Sequence, residues 1–138
     1  LSLIQSAPLT GAVVVTTPSD VSPEDARKAV NMFEQVRVPI LGIVENMSYL
    51  LCPHCSERID VFSHGGGRRT AQNMNVHFLA EVPLAPDIRI GGDSGKPVAT
   101  REKDDPQAAS FFKMAEDLIA RAAEESKAAS GPSITIED

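Results

Sequence analysis

Cys52 and Cys55, the two cysteines of this sequence, are the residues whose type and spacing most clearly suit metal or redox chemistry. They lie three positions apart, and a Cys-x-x-Cys step lets two thiolates converge on one metal ion or cluster edge. A closed metal site normally has four ligands, and here the chain supplies two sulfurs. A second copy of the same chain can supply the other two.

Two other interpretations of the same tetrapeptide stay open on residue chemistry. A zinc knuckle has this geometry, with His54 or His64 as further ligands, because tetrahedral thiolate coordination suits zinc as well as iron. Cys-Pro-His-Cys also occurs in strongly oxidising thiol–disulfide oxidoreductases, with Val82-Pro83 as a candidate Val-Pro pair. That chemistry needs a helix after the first cysteine, and residues 56–62 alternate like a strand instead.

Composition predicts one globular domain whose negative net charge disfavours binding to anionic surfaces. Of 138 residues, 42% are apolar and 23% are charged, with a net charge of −6, so we expect no nucleic acid or membrane partner. The longest apolar runs, residues 12–15 and 40–44, are too short to span a bilayer. The chain opens without a targeting segment, which predicts a cytosolic location where thiols stay reduced. It also opens without Met and in mid-pattern, like a helix under way, so we expect a piece of a longer protein.

The elements that position the cysteines are predicted to form an α/β fold. Residues 12–17 are a continuous β-branched run typical of a strand buried on both faces. A helix is predicted from Ser22 as N-cap and Pro23 as first helical residue, followed by a second strand over 39–44. The pattern indicates a parallel strand–helix–strand unit. The helix residues predicted to face the sheet are Ala26, Ala29, Val30, Phe33 and Val36.

The second half continues the pattern after the cysteines. The glycines of residues 65–67 are predicted to turn the chain back to the sheet, before a short helix over 68–74 and a third strand over 76–82. Residues 84–103 are predicted to be a loop, and Asp105-Pro106 to cap a last helix. Its predicted apolar stripe is Ala108, Phe111, Phe112, Ala115, Leu118, Ile119 and Ala122. We predict a domain over residues 1–125, a flexible tail over 126–138, and a sheet so narrow that its bare edge is covered by missing sequence.

Six stretches in order carry a family resemblance: PLTGAVVVTTP (8–18), VPILGIVENMS (38–48), CPHC (52–55), GGG (65–67), PLAPDIR (83–89) and GGDSG (91–95). Together they resemble the Mrp/ApbC family, P-loop ATPases that carry iron–sulfur clusters and are related to MinD and the nitrogenase iron protein. The resemblance covers about residues 1–98, and several motifs in order are more specific than any one of them.

The resemblance implies part of a P-loop NTPase-type parallel sheet flanked by helices, lacking the N-terminal phosphate-loop half. The family's Gly-rich phosphate loop, with its Lys and Ser/Thr, and the acidic motif that helps hold magnesium are expected upstream of Leu1. We therefore expect the intact protein to bind ATP with Mg²⁺ and hydrolyse it, and this piece alone to be inactive as an ATPase.

The resemblance also implies the site residues. Cys52 and Cys55 would bind a [4Fe–4S] cluster bridged between two subunits of a homodimer, which hands the cluster to apo-proteins. Asn46 would contact the adenine base and the loop at Pro83 would form the other wall. From residue chemistry alone, Asn46 favours a simple turn cap.

Overall fold

The computed structural model describes residue 4, residues 6–19 and residues 22–129. Ile4 and Ser6 are helical, and the rest of the predicted opening helix lies outside the described residues, as do residues 130–138 of the predicted tail. The elements in chain order are β1 (Ala12–Thr16), α1 (Ser22–Gln35), β2 (Ile40–Glu45), β3 (Leu50–Leu51), β4 (Arg58–Ile59), α2 (Gly66–Asn73), β5 (Phe78–Glu81), α3 (Pro86–Asp93), a 3₁₀ turn (Val98–Thr100) and α4 (Ala109–Ala129).

The main sheet has three parallel strands in the order β1-β2-β5, so the predicted strand–helix–strand unit and α/β class are confirmed. Successive residues of a strand point to opposite faces. Ile43 of β2 therefore packs in a core with Ala26 and Val30 of α1, whereas Val44 packs in a second core with residues of β5 and α4. The sheet is covered by helices on both faces, which explains why β2 is a continuous apolar run.

Helix α1 covers the sheet as its spacing predicts. Ala26 and Val30 are buried, and Ala29 and Phe33 pack beside them. Ser22 is the first helical residue rather than the residue before the helix, a one-residue difference in the predicted start. None of the helices in the described ranges is long and apolar enough to cross a bilayer.

The prediction of a loop over residues 84–103 is wrong. This segment contains α3 and the 3₁₀ turn. Pro86 occupies the start of α3, where its missing N–H costs nothing, and Asp87 in the first turn suits the helix dipole. Arg89 and Asp93 then form an ion pair of 2.8 Å one turn apart. Pro86, Gly91 and Gly92, three of the residues that suggested a loop, thus occupy a short helix.

The last helix differs from its prediction in both its start and its exposed face. The Asp105 carboxylate accepts the Gln107 N–H (2.8 Å) in a turn that precedes α4 rather than starting it. Phe111 and Leu118 pack on the sheet, but Ile119, predicted in the same stripe, is 69% exposed. Helix α4 also continues to Ala129, so residues 126–129 of the predicted flexible tail are helical.

Candidate metal centre

Cys52 and Cys55 lie in a hairpin that projects from the main sheet. We call residues 50–64 the cysteine arm. Its strands β3 and β4 pair antiparallel, with Leu50 opposite Ile59. The Cys52 N–H donates to the Glu57 carbonyl (2.9 Å), and the Ser56 N–H donates back to the Cys52 carbonyl (2.8 Å). The backbone therefore closes a tight turn around both cysteines, as the Cys-x-x-Cys spacing predicts.

Neither cysteine is in a disulfide, and the surroundings of Cys52 favour its thiolate form. Cys52 is half-buried and Cys55 is exposed. The pKa of the Cys52 thiol lies below its ordinary value, because the backbone N–H groups of His54 and then Cys55 hydrogen-bond to its sulfur, with a smaller contribution from the Cys55 side chain. Desolvation opposes this shift but is the smallest contribution. The thiolate is the form of cysteine that binds metals, so the lowered pKa of Cys52 favours metal binding at the arm.

The two histidines proposed as zinc ligands do not complete a site with these cysteines. The His64 Nδ1 atom instead lies 3.3 Å from the Asp60 carboxylate and 3.2 Å from an Arg58 nitrogen. Over the ranges that the structure describes, no three His, Cys, Asp or Glu side chains group to hold a metal ion. A metal site built on these two cysteines would therefore need further ligands from outside the described part of the chain. In an oxidoreductase of the Cys-Pro-His-Cys type the first cysteine lies at the start of a helix, whereas here both cysteines lie in a hairpin.

The root of the arm is tied by its backbone to the chain that follows β5. The Ser48 N–H donates to the Val82 carbonyl (2.9 Å), and the Leu84 N–H donates to the Tyr49 carbonyl (2.7 Å). The segments leaving β2 and β5 thus run side by side beyond the sheet. Since β2 and β5 are parallel, both leave at its carboxyl edge, where open α/β sheets bind ligands.

Asn46, the candidate base contact, is the first residue after β2. Its backbone N–H donates to the Thr16 carbonyl (2.8 Å) and its side-chain oxygen accepts the Met47 N–H (2.9 Å). That second contact is the turn cap expected from residue chemistry. It uses one of two lone pairs on the oxygen, so the amide keeps donors and an acceptor position for a ligand. Asn46 lines a groove of about 290 Å³ with the end of β1.

Pro83, the other candidate for the nucleotide site, is buried and lines a different cleft. This cleft has a volume of about 710 Å³ and is shared with Leu51, Cys52 and Arg101. Asn46 and Pro83 therefore follow neighbouring strands at the same edge, but each lines its own depression. The structure brings Pro83 beside the cysteine arm, a proximity that the sequence did not predict.

Glu45, the last residue of β2, is a buried residue whose role the sequence did not indicate. It is 0% exposed. Its carboxylate accepts the Ser48 hydroxyl (2.6 Å) and the backbone N–H of Gly67 at the start of α2. A Cβ on Gly67 would stand 3.0 Å from the Glu45 side chain, so a larger residue there would require Glu45 to shift by a few tenths of an ångström. Glu45 therefore holds both the turn at Asn46 and the beginning of α2, which starts two residues before its predicted position.

Arg58, the first residue of β4, is the second residue that the sequence analysis missed. Its guanidinium lies over the Tyr49 ring, 4.3 Å from the centroid. It also forms ion pairs with Asp60 (2.9 Å) and with Glu81 of β5 (2.8 Å). Its partner in β5 is 23 positions away along the chain, so sequence spacing gives no signal for this pair.

The chain has a parallel sheet covered by helices on both faces, with candidate ligand-binding residues at the carboxyl edge of the sheet. This arrangement is that of a P-loop NTPase-type α/β protein. Residues 1–119 match the family described as NUBPL iron-transfer P-loop NTPase. The chain belongs to this family, in agreement with the resemblance noted from its motifs.

Curated relatives agree with this assignment. The chain is 47% identical to the iron-sulfur cluster transfer protein NUBPL of Dictyostelium discoideum over 86% of its own length and 37% of that protein. It is 44% identical to the iron-sulfur cluster carrier protein of Pyrococcus horikoshii, over 86% of the chain and 40% of that protein. The chain therefore spans about two-fifths of the length of these relatives.

Among solved structures, the chain resembles a nucleotide-binding protein from Archaeoglobus fulgidus in complex with ADP. The TM-score is 0.65 at 35% identity, over 80% of this chain and 44% of that one. It also resembles the cell division ATPase MinD of Pyrococcus furiosus, with a TM-score of 0.60 at 25% identity, over 80% of this chain and 43% of that one. Both likenesses agree with the predicted P-loop NTPase-type sheet.

Proposed function

We propose that this chain is the cluster-binding part of an iron–sulfur cluster carrier, and that Cys52 and Cys55 are its cluster ligands. The observation that carries the proposal is the pair of thiols, not bonded to each other, held by one tight turn at the tip of an exposed arm. Two relatives named as cluster transfer or carrier proteins support the choice of cargo. The exposure of Cys55 suits a cluster that must be handed to an apo-protein.

The cluster that we propose is [4Fe–4S], held between two copies of the chain. Such a cluster takes four thiolates, and one chain contains two cysteines. Apolar side chains on the arm support a homodimer at this place, because Ile59 is 44% exposed and Phe62 is 55% exposed. Pairing two arms would bury these side chains and bring four sulfurs together.

The intact protein is proposed to bind and hydrolyse ATP, with Asn46 and Pro83 contacting the base. The P-loop NTPase family and the relative solved with ADP support nucleotide binding. The positions of Asn46 and Pro83 after parallel strands support their part in it. The cytosolic location stays a prediction, and a relative from Arabidopsis thaliana, 41% identical, carries a mitochondrial name.

Anaerobic reconstitution of the full-length protein with iron and sulfide tests the cluster proposal. We expect a brown chromophore with about four iron atoms per two chains. Cys52→Ser and Cys55→Ser should each abolish iron uptake. His54→Ala is the matched control within the same turn, because it keeps the backbone N–H at position 54, and it should load normally.

Two results would overturn this proposal. Zinc bound in place of iron, with iron never incorporated, would instead identify a zinc-stabilised dimerisation module. Reduction of insulin disulfides by the metal-free protein would identify a thiol oxidoreductase. A loaded protein that stays monomeric in size-exclusion chromatography would retain the carrier function but contradict the bridged site.

Asn46→Ala tests the nucleotide part separately. Loss of one hydrogen bond to the base costs about 1 kcal/mol, so ADP affinity should fall about fivefold. Titration with a fluorescent nucleotide measures this change. Asn73→Ala, at the end of α2, is a control of the same chemistry and should leave affinity unchanged.

A further inference from the structure

One side chain of the cysteine arm, that of Arg58, contacts the arm itself, the segment that leads into it and the main sheet. Arg58 packs on the Tyr49 ring, pairs with Asp60 inside the arm and pairs with Glu81 at the end of β5. An isolated ion pair on a protein surface contributes little stability, but one guanidinium that joins two carboxylates and a ring fixes a defined geometry. Arg58 is only 36% exposed and Glu81 only 18%, so water screens this contact less than a free surface pair.

Glu81 lies where the arm and the nucleotide edge meet. It is two residues before Pro83, and it pairs in register with Glu45, the residue before Asn46. The Arg68 guanidinium approaches the same Glu81 carboxylate at 3.8 Å and packs on the Phe78 ring. Glu81 is therefore held by Arg68 of α2 on one side and by Arg58 of the arm on the other.

Apolar packing does not hold the outer part of the arm. Leu51, Ile59, Val61 and Phe62 are all between 40% and 55% exposed. The backbone hydrogen bonds at Ser48 and Leu84 fix only the root of the arm. The direction in which the arm points is thus set by polar contacts. These are the contacts of Arg58 and, at the end of the arm, the hydrogen bond that the Arg69 side chain of α2 donates to the His64 carbonyl (2.6 Å).

We propose that Arg58 is a positioning residue, which through Glu81 ties the orientation of the cysteine pair to the end of β5 beside Pro83. A ligand that moves the segment after β5 then moves the arm, and a cluster on the arm acts back on the ligand. Arg58 contacts neither the cluster nor the nucleotide in this scheme. The inference rests on the proposed function, since it joins the two sites named there.

Because coupling between two binding sites is reciprocal, it can be measured from either side. The experiment compares ADP affinity of the full-length protein with and without the cluster, under anaerobic conditions. We expect the cluster to change the ADP Kd of the unmodified protein by about fivefold or more. Arg58→Ala and Glu81→Gln should each reduce this factor to about twofold or less.

Three further variants separate positioning from general damage. Arg58→Lys keeps the charge but loses the planar fork, and it should restore part of the factor. The double variant Arg58→Ala, Glu81→Gln should be no worse than either single variant, because both remove the same contact. Arg27→Ala removes an exposed ion pair with Glu24 on α1 and should behave like the unmodified protein.

The outcomes distinguish this inference from the proposed function. If the unmodified protein takes up no iron, the proposed function fails and the inference fails with it. If the cluster loads but leaves ADP affinity unchanged, or if Arg58→Ala keeps the full factor, only the inference is overturned. The inference is supported if Arg58→Ala binds a normal amount of iron but the cluster no longer changes its ADP Kd.

Discussion

The main sheet and the cysteine arm are stabilised by different interactions. In β2, Ile43 and Val44 are at most 4% exposed and are covered by helices on both faces. In the arm, Ile59 and Phe62 are about half exposed, and the ordered contacts are backbone hydrogen bonds and the ion pairs of Arg58. Burial fixes the sheet, whereas polar contacts that water and salt can weaken fix the arm.

This difference suits the two tasks proposed for the chain. A nucleotide site needs a preformed edge, which the packed strands provide. A carrier must give up its cluster, so its ligands belong on a segment that can change orientation without unfolding the core. The two regions should therefore respond differently to the loss of apolar side chains and to salt.

The largest effect is expected from a cavity in the sheet. Ile43→Ala in the full-length protein should lower the free energy of unfolding by about 2–5 kcal/mol, because it removes a fully buried side chain between β2 and α1. Denaturant unfolding followed by circular dichroism measures this loss. Iron content per folded dimer should be unchanged.

The matched change in the arm is Phe62→Ala, at a side chain that is 55% exposed. In the metal-free protein, before any pairing of two arms, its effect on the free energy of unfolding should be within about 0.5 kcal/mol. A loss as large as that of Ile43→Ala would contradict the comparison, since it would mean that the arm packs as a core does.

An effect comparable to that of Ile43→Ala is expected at the junction of the two regions. Glu45→Leu removes the acceptor of the Gly67 N–H and of the Ser48 hydroxyl, and each group left unsatisfied costs about 1–3 kcal/mol. Glu45→Gln can still accept from Gly67 and donate to Ser48, so it should restore most of the loss. Thermal unfolding of both variants measures the difference, and equal stability would show that the hydrogen bonds of this carboxylate contribute nothing.

The smallest effect is a difference in salt sensitivity between two carboxyl groups. The pKa of Asp60 is lowered first by the hydrogen bond from Arg58, whereas the pKa of Asp105 is lowered first by the backbone N–H of Gln107. Salt screens charges, so raising it from about 0.1 M to about 1 M should raise the Asp60 pKa more than the Asp105 pKa. Titration of ¹³C-labelled aspartate by NMR measures both.

The sign of the pH dependence follows from the lowered pKa values. Each carboxylate stabilises the folded state above the pKa of the unfolded chain, and this contribution is lost as the pH falls through the lower, folded pKa. The stability that protonation of Asp60 removes at low pH should be smaller in high salt or in the Arg58→Ala variant. An equal response of both aspartates to salt would mean that charge does not dominate in the arm.

The sequence predicted the parts of the fold that depend on local pattern. The β-branched residues 13–17 and the helical spacing of Ala26 and Val30 indicated the strand–helix–strand unit. A strand buried on both faces is a continuous apolar run, and a helix buried on one face has apolar residues at helical spacing. The same approach was wrong over residues 84–103. Glycine and proline lower helix propensity there, but Pro86 at the start of α3 is compatible with a helix.

Of the candidate site, the sequence predicted the cysteine turn but neither of its supports. Glu45 follows an apolar run and resembles the polar end of a strand, and only the approach of α2 explains its burial. The signal that was available is the glycine triplet before a helix, since those backbone N–H groups need an acceptor. The role of Arg58 could not be predicted from the sequence, because its contact with Glu81 exists only once the arm lies beside the end of β5.

The closure of the hairpin on itself has a practical consequence for protein engineering. Leu50 and Ile59 face each other across β3 and β4, and the Cys52–Glu57 hydrogen bond closes the loop within them. The ends of the loop are therefore a fixed, short distance apart, whatever lies between them. We therefore expect that another metal-binding loop can replace residues 53–56 while the Arg58 contacts are kept, because position 58 lies outside the exchanged segment.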